Sequence, residues 1–129
     1  MPEARSYLRA DGSCPFDGIK DARAQAKIDT AVRKLERGLR TDVAPMGEGA
    51  HESRLHYGPG YRIYFGNVGA ELVVLLLCGD KRAQDEDIAF AKALWSEYRA
   101  RKAARPSKPG QPGPKPLLKP KEDDGGADA

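Results

Sequence analysis

Long apolar runs and a cysteine framework are both missing from this chain of 129 residues. Its longest apolar stretch runs from Leu72 to Cys78, which is far too short to cross a bilayer. The N-terminus has no apolar segment of the kind that secretory signal peptides carry. The two cysteines, Cys14 and Cys78, form no disulfide framework and no metal-ligand spacing. We therefore expect a soluble, cytoplasmic protein without a metal or other cofactor, in which Cys78 is a small buried apolar residue.

A large net charge is missing as well, because 22 basic residues are offset by 19 acidic ones to leave +3. A charge of this size does not by itself indicate nucleic-acid binding. The placement of the charges is therefore more informative than their sum.

Apolar residues are also scarce beyond Arg105, where the sequence is rich in proline and lysine and ends in an acidic stretch. Leu117 and Leu118 are nearly all that this stretch could bury. Such a composition cannot bury enough apolar surface to offset the entropy lost on ordering. We predict one folded domain over residues 1–104 and a disordered tail over residues 105–129 that folding does not need.

Apolar residues recur at the helical period in two segments and predict helices over Lys20–Arg37 and from Asp85 to about Lys102. A short strand is predicted around Ser6–Arg9. Residues 41–49 are interpreted as a loop, because this stretch contains Pro45 and two glycines.

Three strands are predicted between the two helices, over Glu52–Tyr57, Tyr61–Gly66 and Glu71–Cys78. The tight connection Gly58-Pro59-Gly60 indicates a hairpin between the first two. The third strand lacks alternation, so we expect it to be buried on both faces in the middle of the sheet. The order strand, helix, three-stranded meander, helix predicts an α+β protein, with two or three helices packed on an antiparallel sheet of three to four strands.

Residues 53–65, with the sequence SRLHYGPGYRIYF, resemble the central hairpin of the addiction-module killer proteins. These proteins are a branch of the RelE/ParE toxin superfamily and are close to the phage-derived HigB-like toxins. The similarity continues through the PMGEG loop at residues 45–49, the apolar strand with CGDK at residues 78–81, and residues 84–95. It covers roughly residues 19–99. Two departures are a shortened segment before Lys20, where the family has a fuller first helix, and the proline- and lysine-rich tail.

The resemblance implies a small RelE-like fold and the role of toxin in a type II toxin–antitoxin system. RelE-like members cut mRNA, usually on the ribosome, whereas ParE-like members poison DNA gyrase. Both are held inactive by a small antitoxin, which in this branch usually carries a helix-turn-helix domain. We therefore expect a metal-independent mRNA endonuclease whose partners are such an antitoxin, mRNA and the ribosome. The alternatives are a gyrase-poisoning inhibitor and an inactive homologue that binds an antitoxin.

Metal-free RNA cleavage needs a base for the ribose 2′ proton, cations for the phosphorane charge and an acid for the leaving 5′ oxygen. Arg62 is the first candidate, since a planar guanidinium can hold a phosphate through two bonds. The resemblance also matches it to the arginine of the Tyr-Arg strand in RelE-like toxins. The alternative is a structural salt bridge between Arg62 and Glu52.

Arg54 and His56 are two residues apart on one predicted strand, so we expect both side chains to face the same way. An imidazole in this place can act as base or acid near neutral pH. Lys81 and Arg82 follow the buried strand, at a strand end where the resemblance implies basic catalytic residues. The alternatives are an exposed polar strand face for the first pair and ordinary loop charges for the second.

Basic and aromatic side chains outside this group are candidates for contacts with RNA. Arg23 and Lys27 lie on the polar face of the first predicted helix, and Tyr61 could stack on a base. The alternatives are a solvated helix face and packing of the tyrosine on the sheet. The predicted catalytic residues are thus Arg62, His56, Arg54 and Lys81, and the predicted RNA-binding residues are Arg82, Tyr61, Lys27 and Arg23.

Overall fold

The computed structural model describes residues 2–39, 42–104 and 116–119. Within them, two helices enclose a five-stranded sheet, which confirms the predicted α+β class. Single turns of 3-10 helix cover Pro15–Gly18 and Lys81–Ala83. The main elements in chain order are β1 (Glu3–Ser6), α1 (Ala22–Glu36), β2 (Val43–Gly47), β3 (Ala50–Leu55), β4 (Tyr61–Val68), β5 (Leu72–Asp80) and α2 (Gln84–Ala103). None of the described helices is both long enough and apolar enough to span a membrane.

The strands lie in the order β1-β5-β4-β3-β2. The meander from β2 to β5 is antiparallel, whereas β1 pairs with β5 in parallel. β5 therefore has a neighbour on each side, and its residues 73–78 are all buried. This confirms that the apolar run from Leu72 to Cys78 is a central strand covered on both faces.

β5 also contains a β-bulge at Leu76, which interrupts the alternation of its side chains between the two faces of the sheet. Tyr64 pairs with Leu77 and Phe65 pairs with Leu75, so that Leu76 is the extra residue. A bulge of this kind turns two successive side chains to the same face. Leu76 and Leu77 accordingly both belong to the core beneath α2.

The two helices pack on opposite faces of the sheet. α1 covers one core through Ile28 and Leu35, which pack with Ile63 and Phe65 of β4. α2 covers the other core, in which Tyr64 of β4 is included. Successive residues of β4 thus alternate between the two faces, as the pleat of a strand requires.

Trp95 fixes α2 over the far end of β4. Its ring lies directly against Gly66, where a Cβ atom would overlap the indole. The indole Nε1 donates a 2.7 Å hydrogen bond to the carbonyl oxygen of Glu48, and the ring stacks on Tyr98. A glycine is needed at this position because only a bare Cα leaves room for the ring.

Two predictions of local structure were wrong. The N-terminal strand lies at Glu3–Ser6 instead of Ser6–Arg9, because it pairs with residues 72–75 of β5. The predicted loop over residues 41–49 contains the strand β2, Val43–Gly47. Pro45 is tolerated there because β2 is an edge strand, where a missing backbone donor can face away from the sheet.

The predicted disordered tail is wrong for the short segment Pro116–Lys119. Leu117 in it is only 5% exposed and joins the core beneath α2. Leu118 forms an antiparallel bridge with Tyr7 beside β1. Ordering this segment costs conformational entropy. Burial of Leu117 and pairing with the strand edge at Tyr7 offset that cost, which the composition of the tail did not reveal. The other predicted tail residues, 105–115 and 120–129, lie outside the described residues.

Candidate functional site

The β3–β4 hairpin brings the predicted catalytic residues to one end of the sheet. β4 runs antiparallel to both of its neighbours, so its first residues lie beside the last residues of β3 and β5. Gly58 and Gly60 turn the chain with φ of 57° and 84°, in the left-handed region that glycine adopts readily. A Cβ atom at Gly60 would lie 3.6 Å from Cβ of Lys81, which places this lysine against the turn.

Two adjoining clefts open at this end of the molecule. The first, which we call the hairpin cleft, has a volume of about 530 Å³ and is lined by residues 54–62 and Lys81. The second, the helix cleft, measures about 300 Å³ and lies between α1 and the hairpin. Residues 54–57 line both clefts, so one ligand could extend across the two. Lys27 and Lys34 of α1 add positive charge to the helix cleft.

Glu52 holds the two arginines of the hairpin together. Arg54 and Arg62 are directly opposite each other in the register of β3 and β4, an arrangement that is unfavourable for like charges. The carboxylate of Glu52, which is only 4% exposed, is ion-paired with Nη1 of Arg62 and lies 3.5 Å from Nε of Arg54. Gln84 at the start of α2 donates a 3.4 Å hydrogen bond to the same carboxylate oxygen. Glu52 therefore offsets the repulsion between the two guanidinium groups.

The two arginines differ in exposure. The side chain of Arg62 is 12% exposed, whereas that of Arg54 is 49% exposed. The salt bridge that the sequence left open as an alternative for Arg62 is present. Arg62 lies at the back of the hairpin cleft with Glu52, and Arg54 is the guanidinium that faces solvent.

Polar groups beneath α2 surround Arg62. Its Nε and the hydroxyl of Tyr64 are buried without a hydrogen-bond partner among the described residues. Burial raises the pKa of the Tyr64 phenol, and the negative charges of Glu52 and Asp87 raise it further. The carboxylate of Asp87 lies against Gly79, where a Cβ atom would overlap it. Burial, with Asp80 and Glu86 nearby, raises the pKa of Asp87 above its ordinary value.

Cys78 is buried, as its place at the end of an apolar run predicted. Burial, followed by the negative charge of Asp87, raises the pKa of its thiol to about 12. The thiol therefore stays protonated near neutral pH, which leaves it a poor nucleophile.

His56 has an acidic partner that sequence reasoning missed. Its Nε2 lies 3.0 Å from Oδ2 of Asp42, and the imidazole is 77% exposed at the clefts. Asp42 has a φ of 54°, a left-handed conformation that few residues other than glycine adopt. Its carbonyl oxygen accepts a 3.0 Å hydrogen bond from the N–H of Arg54, which ties this turn to β3. A carboxylate that contacts an imidazole can fix the orientation of the ring for proton transfer.

Arg54 and His56 do not lie on one strand face as predicted, because β3 ends at Leu55 and His56 belongs to the turn. Both residues nevertheless line the two clefts. The hairpin turn and the partner Asp42 bring them together, and strand alternation does not.

The predicted RNA-binding residues fall into two groups. Tyr61 stacks on Tyr57 with ring centroids 6.3 Å apart, and Nζ of Lys27 lies 5.5 Å from the centroid of the Tyr57 ring. These side chains line the clefts. Arg23 and Arg82 lie outside the residues that line them, and Arg82 is ion-paired with Asp80 at 2.8 Å.

The hairpin cleft combines fixed positive charge with a group that can transfer protons. Arg54, Arg62 and Lys81 carry three positive charges, and Glu52 and Asp42 carry two negative charges, which leaves +1 when His56 is not counted. Such an arrangement can bind a phosphate and move a proton at its edge. Across residues 2–39, 42–104 and 116–119, no group of three or more His, Cys, Asp or Glu side chains is arranged to hold a metal ion.

The comparisons with known proteins give one relative. No protein-family description matches the chain, and no solved structure matches it. Over 79 residues it is 42% identical to an uncharacterized protein of Haemophilus influenzae, and the match covers 61% of this chain and 80% of that protein. With this identity and coverage, the chain belongs to the same family as the uncharacterized Haemophilus influenzae protein.

Proposed function

We propose that this protein is the toxin of a type II toxin–antitoxin system and cleaves mRNA without a metal ion. The observation that carries the proposal is the pairing of His56 with Asp42 at a cleft that also holds Arg54, Arg62 and Lys81. The resemblance of residues 53–65 to addiction-module killer proteins supports the same function. Cleavage of mRNA requires a cytoplasmic location, which is part of the proposal.

In the proposed reaction, His56 accepts the proton of a ribose 2′-OH. The 2′ oxygen forms a bond to the adjacent phosphorus, and the bond from phosphorus to the 5′ oxygen breaks. The leaving 5′ oxygen takes up a proton from water, so that the products are a 2′,3′-cyclic phosphate and a 5′-OH. Asp42 is a positioning residue, because its carboxylate contacts the imidazole at 3.0 Å and would not contact RNA itself.

Arg54 and Lys81 are the groups that stabilise the charge on the phosphorane. Arg54 is half exposed, and Lys81 is exposed beside Gly60 at the mouth of the hairpin cleft. Positioned cations are effective at such a site because they are directed at charge that develops in the transition state. Arg62 supports them from behind, through the carboxylate of Glu52 that it shares with Arg54.

The stacked pair of Tyr57 and Tyr61 gives the substrate a second contact. Bases of single-stranded RNA stack on aromatic side chains with little dependence on sequence. Lys27 lies over Tyr57 and would contact the backbone of the same strand. This combination favours single-stranded RNA over a duplex.

The proposal is tested with purified full-length protein and end-labelled RNA, with and without ribosomes. We expect cleavage in the presence of EDTA, products with cyclic phosphate and 5′-OH ends, and no cleavage of a substrate that has 2′-deoxyribose at the cut site. His56→Ala and Arg54→Ala should each lower the rate by about a hundredfold. Arg54→Lys should restore part of the loss, because a point charge lacks the two-pronged contact of a guanidinium.

Arg82→Ala is the matched control, since Arg82 is an exposed arginine outside both clefts. It should cut RNA as fast as the unmodified protein. Cleavage by His56→Ala at the unmodified rate would contradict the assignment of the base. If the unmodified protein cuts no RNA under either condition and instead blocks supercoiling by gyrase, the ParE-like function replaces the one proposed.

A second candidate is supported by the ion pair between Glu52 and Arg62. A carboxylate that neutralises the most buried arginine of the cleft weakens its hold on a phosphate. The protein would then be a homologue that binds an antitoxin without cutting RNA. Both candidates require a small antitoxin as partner, so co-purification with the product of a neighbouring helix-turn-helix gene supports either, and the cleavage assay separates them.

A further inference from the structure

The segment Pro116–Lys119 pairs with residues 6–8, which are the last residue of β1 and the two that follow it; we call this stretch the β1 edge. The N–H of Leu8 donates a 2.7 Å hydrogen bond to the carbonyl oxygen of Leu117, and the N–H of Lys119 donates a 2.8 Å bond to that of Ser6. The N–H of Tyr7, between these two positions, donates to Leu75 of β5 on the other side. The β1 edge is thus used on both sides, and the segment continues the sheet by one short antiparallel step.

An apolar groove below this edge accepts one side chain of the segment. Leu117 is 5% exposed and packs in the core that contains Tyr7 and Tyr98, whose rings meet edge to face. Beside the segment, a cleft of about 440 Å³ is lined by Leu72, Tyr98 and Lys102. The groove therefore selects an apolar residue at the position of Leu117.

Polar contacts fix the end of the segment. Arg5 donates two hydrogen bonds to the carbonyl oxygen of Lys119, from Nε at 2.9 Å and from Nη2 at 2.8 Å. The ammonium of Lys119 forms an ion pair with Asp17. These contacts select an extended chain with a basic residue two positions after the buried leucine.

We propose that the β1 edge, with the groove formed by Tyr7, Leu72 and Tyr98, is a strand-addition site and that Pro116–Lys119 is its displaceable intramolecular ligand. The contacts of the segment are those of β-strand addition, in which backbone bonds give affinity and a pocket for a side chain gives specificity. One buried leucine, two backbone bonds and the mostly exposed polar contacts of Lys119 make a weak ligand on their own. Covalent attachment through residues 105–115 compensates, because a short connection gives a local concentration on the order of millimolar.

Occupation of the site also has a protective role. An open strand edge beside an apolar groove is a template for pairing with other chains. The segment covers the β1 edge, so another extended chain must compete with it to bind there. This inference does not depend on the proposed ribonuclease activity.

The test measures hydrogen exchange of the Leu8 amide in the full-length protein by NMR. Leu8 N–H bonds to the segment and not to the rest of the sheet, so its protection reports docking. We expect protection in the unmodified protein and a loss of about tenfold or more in Leu117→Asp. Pro116→Ser, a change at the exposed neighbouring position, should keep the protection.

A peptide with the sequence of residues 113–121 is then added in trans. The peptide should restore the protection of the Leu8 amide in Leu117→Asp. It should bind the unmodified protein at least about tenfold more weakly than it binds this variant, because the site in the unmodified protein is already filled. Rapid exchange of Leu8 in the unmodified protein would overturn the proposal without the use of any variant. Failure of the peptide to restore protection in a folded Leu117→Asp protein, or equal rescue by a peptide in which both leucines are replaced by aspartate, would also overturn it.

Discussion

The two ends of β4 differ in the groups that cover the face beneath α2, which are apolar at Gly66 and polar at Arg62. At the far end, Gly66 lies under the Trp95 ring in an apolar contact that has no room for a further atom. At the near end, Arg62 lies among Glu52, Gln84 and the unpartnered hydroxyl of Tyr64, and the strand opens onto the hairpin cleft. α2 covers the first end tightly and the second end with polar groups. Tight apolar packing is thus found at one end of the strand, and a buried ion pair with the groups that can do chemistry lies at the other.

Removal of the buried Glu52 carboxylate at the near end should have the largest effect on the free energy of unfolding. Glu52→Ala leaves Arg62 buried without a counter-charge and directly opposite Arg54, so we expect a loss of about 3–5 kcal/mol in the free energy of unfolding. Urea titration followed by circular dichroism measures this loss. Arg54→Ala is the control, because a half-exposed arginine should cost about 1 kcal/mol or less while it removes most of the RNA cleavage. Equal losses of stability in the two variants would contradict the role of Glu52 as the counter-charge of a buried arginine.

A smaller effect is expected at the far end of β4. Gly66→Ala places a Cβ atom inside the Trp95 ring, and displacement of the ring should cost about 2 kcal/mol in the free energy of unfolding. The rate of RNA cleavage in the folded protein should stay unchanged, since the clefts lie at the other end of the strand. A double-mutant cycle with Trp95→Leu tests the cause, because the smaller side chain should recover part of the loss. A loss of RNA cleavage in Gly66→Ala without a loss of stability would show that the two ends of β4 are coupled.

The smallest of the expected effects concerns Asp87 and depends on pH. The pKa of Asp87 is raised in the folded protein, first by burial and then by Asp80 and Glu86. The folded state therefore holds the proton more tightly than the unfolded state, whose ordinary value is 3.8, and stability falls as pH rises from that value through the folded pKa. Asp87→Asn should be more stable than the unmodified protein above this window and should lose the advantage below it. Thermal midpoints of both proteins, measured from roughly pH 3 to 7 around the ordinary carboxyl pKa values, check this expectation. A stability difference between the two proteins that does not change with pH would contradict it.

Local patterns in the sequence were enough to predict the elements that apolar periodicity marks. Both helices, the hairpin and the central position of β5 were confirmed, because each depends on spacing within one segment. β2 was missed, since Pro45 and two glycines are typical of a loop and an edge strand tolerates them. Leu117 was placed in a disordered tail because composition does not show that a distant strand edge is free to bind it.

The sequence predicted which residues form the candidate site, but it did not predict how their side chains are arranged. The hairpin residues stand next to each other in the sequence, so their cluster of positive charge was visible. Arg62 is paired with Glu52, and Gln84 of α2, 32 residues away along the chain, contacts the same carboxylate oxygen. No pattern joins His56 to Asp42, because their contact arises from the turn between α1 and β2. Tertiary contacts of this kind decide the roles of side chains that the sequence can only propose.

The bulge at Leu76 determines which face of the sheet each later side chain of β5 points to. Residues before the bulge obey one alternation of faces, and residues after it obey the opposite one. If β5 continued from Leu75 in regular pairing without the bulge, Cys78 would lie opposite Arg62 in the place of Gly79, and its side chain would occupy the space where Asp87 now rests on a bare Cα. The first turn of α2 could not then lie against the sheet, and Gln84 would lose its approach to Glu52. A single inserted residue in the apolar centre of the protein thus determines how closely α2 approaches the charged cluster behind the hairpin cleft.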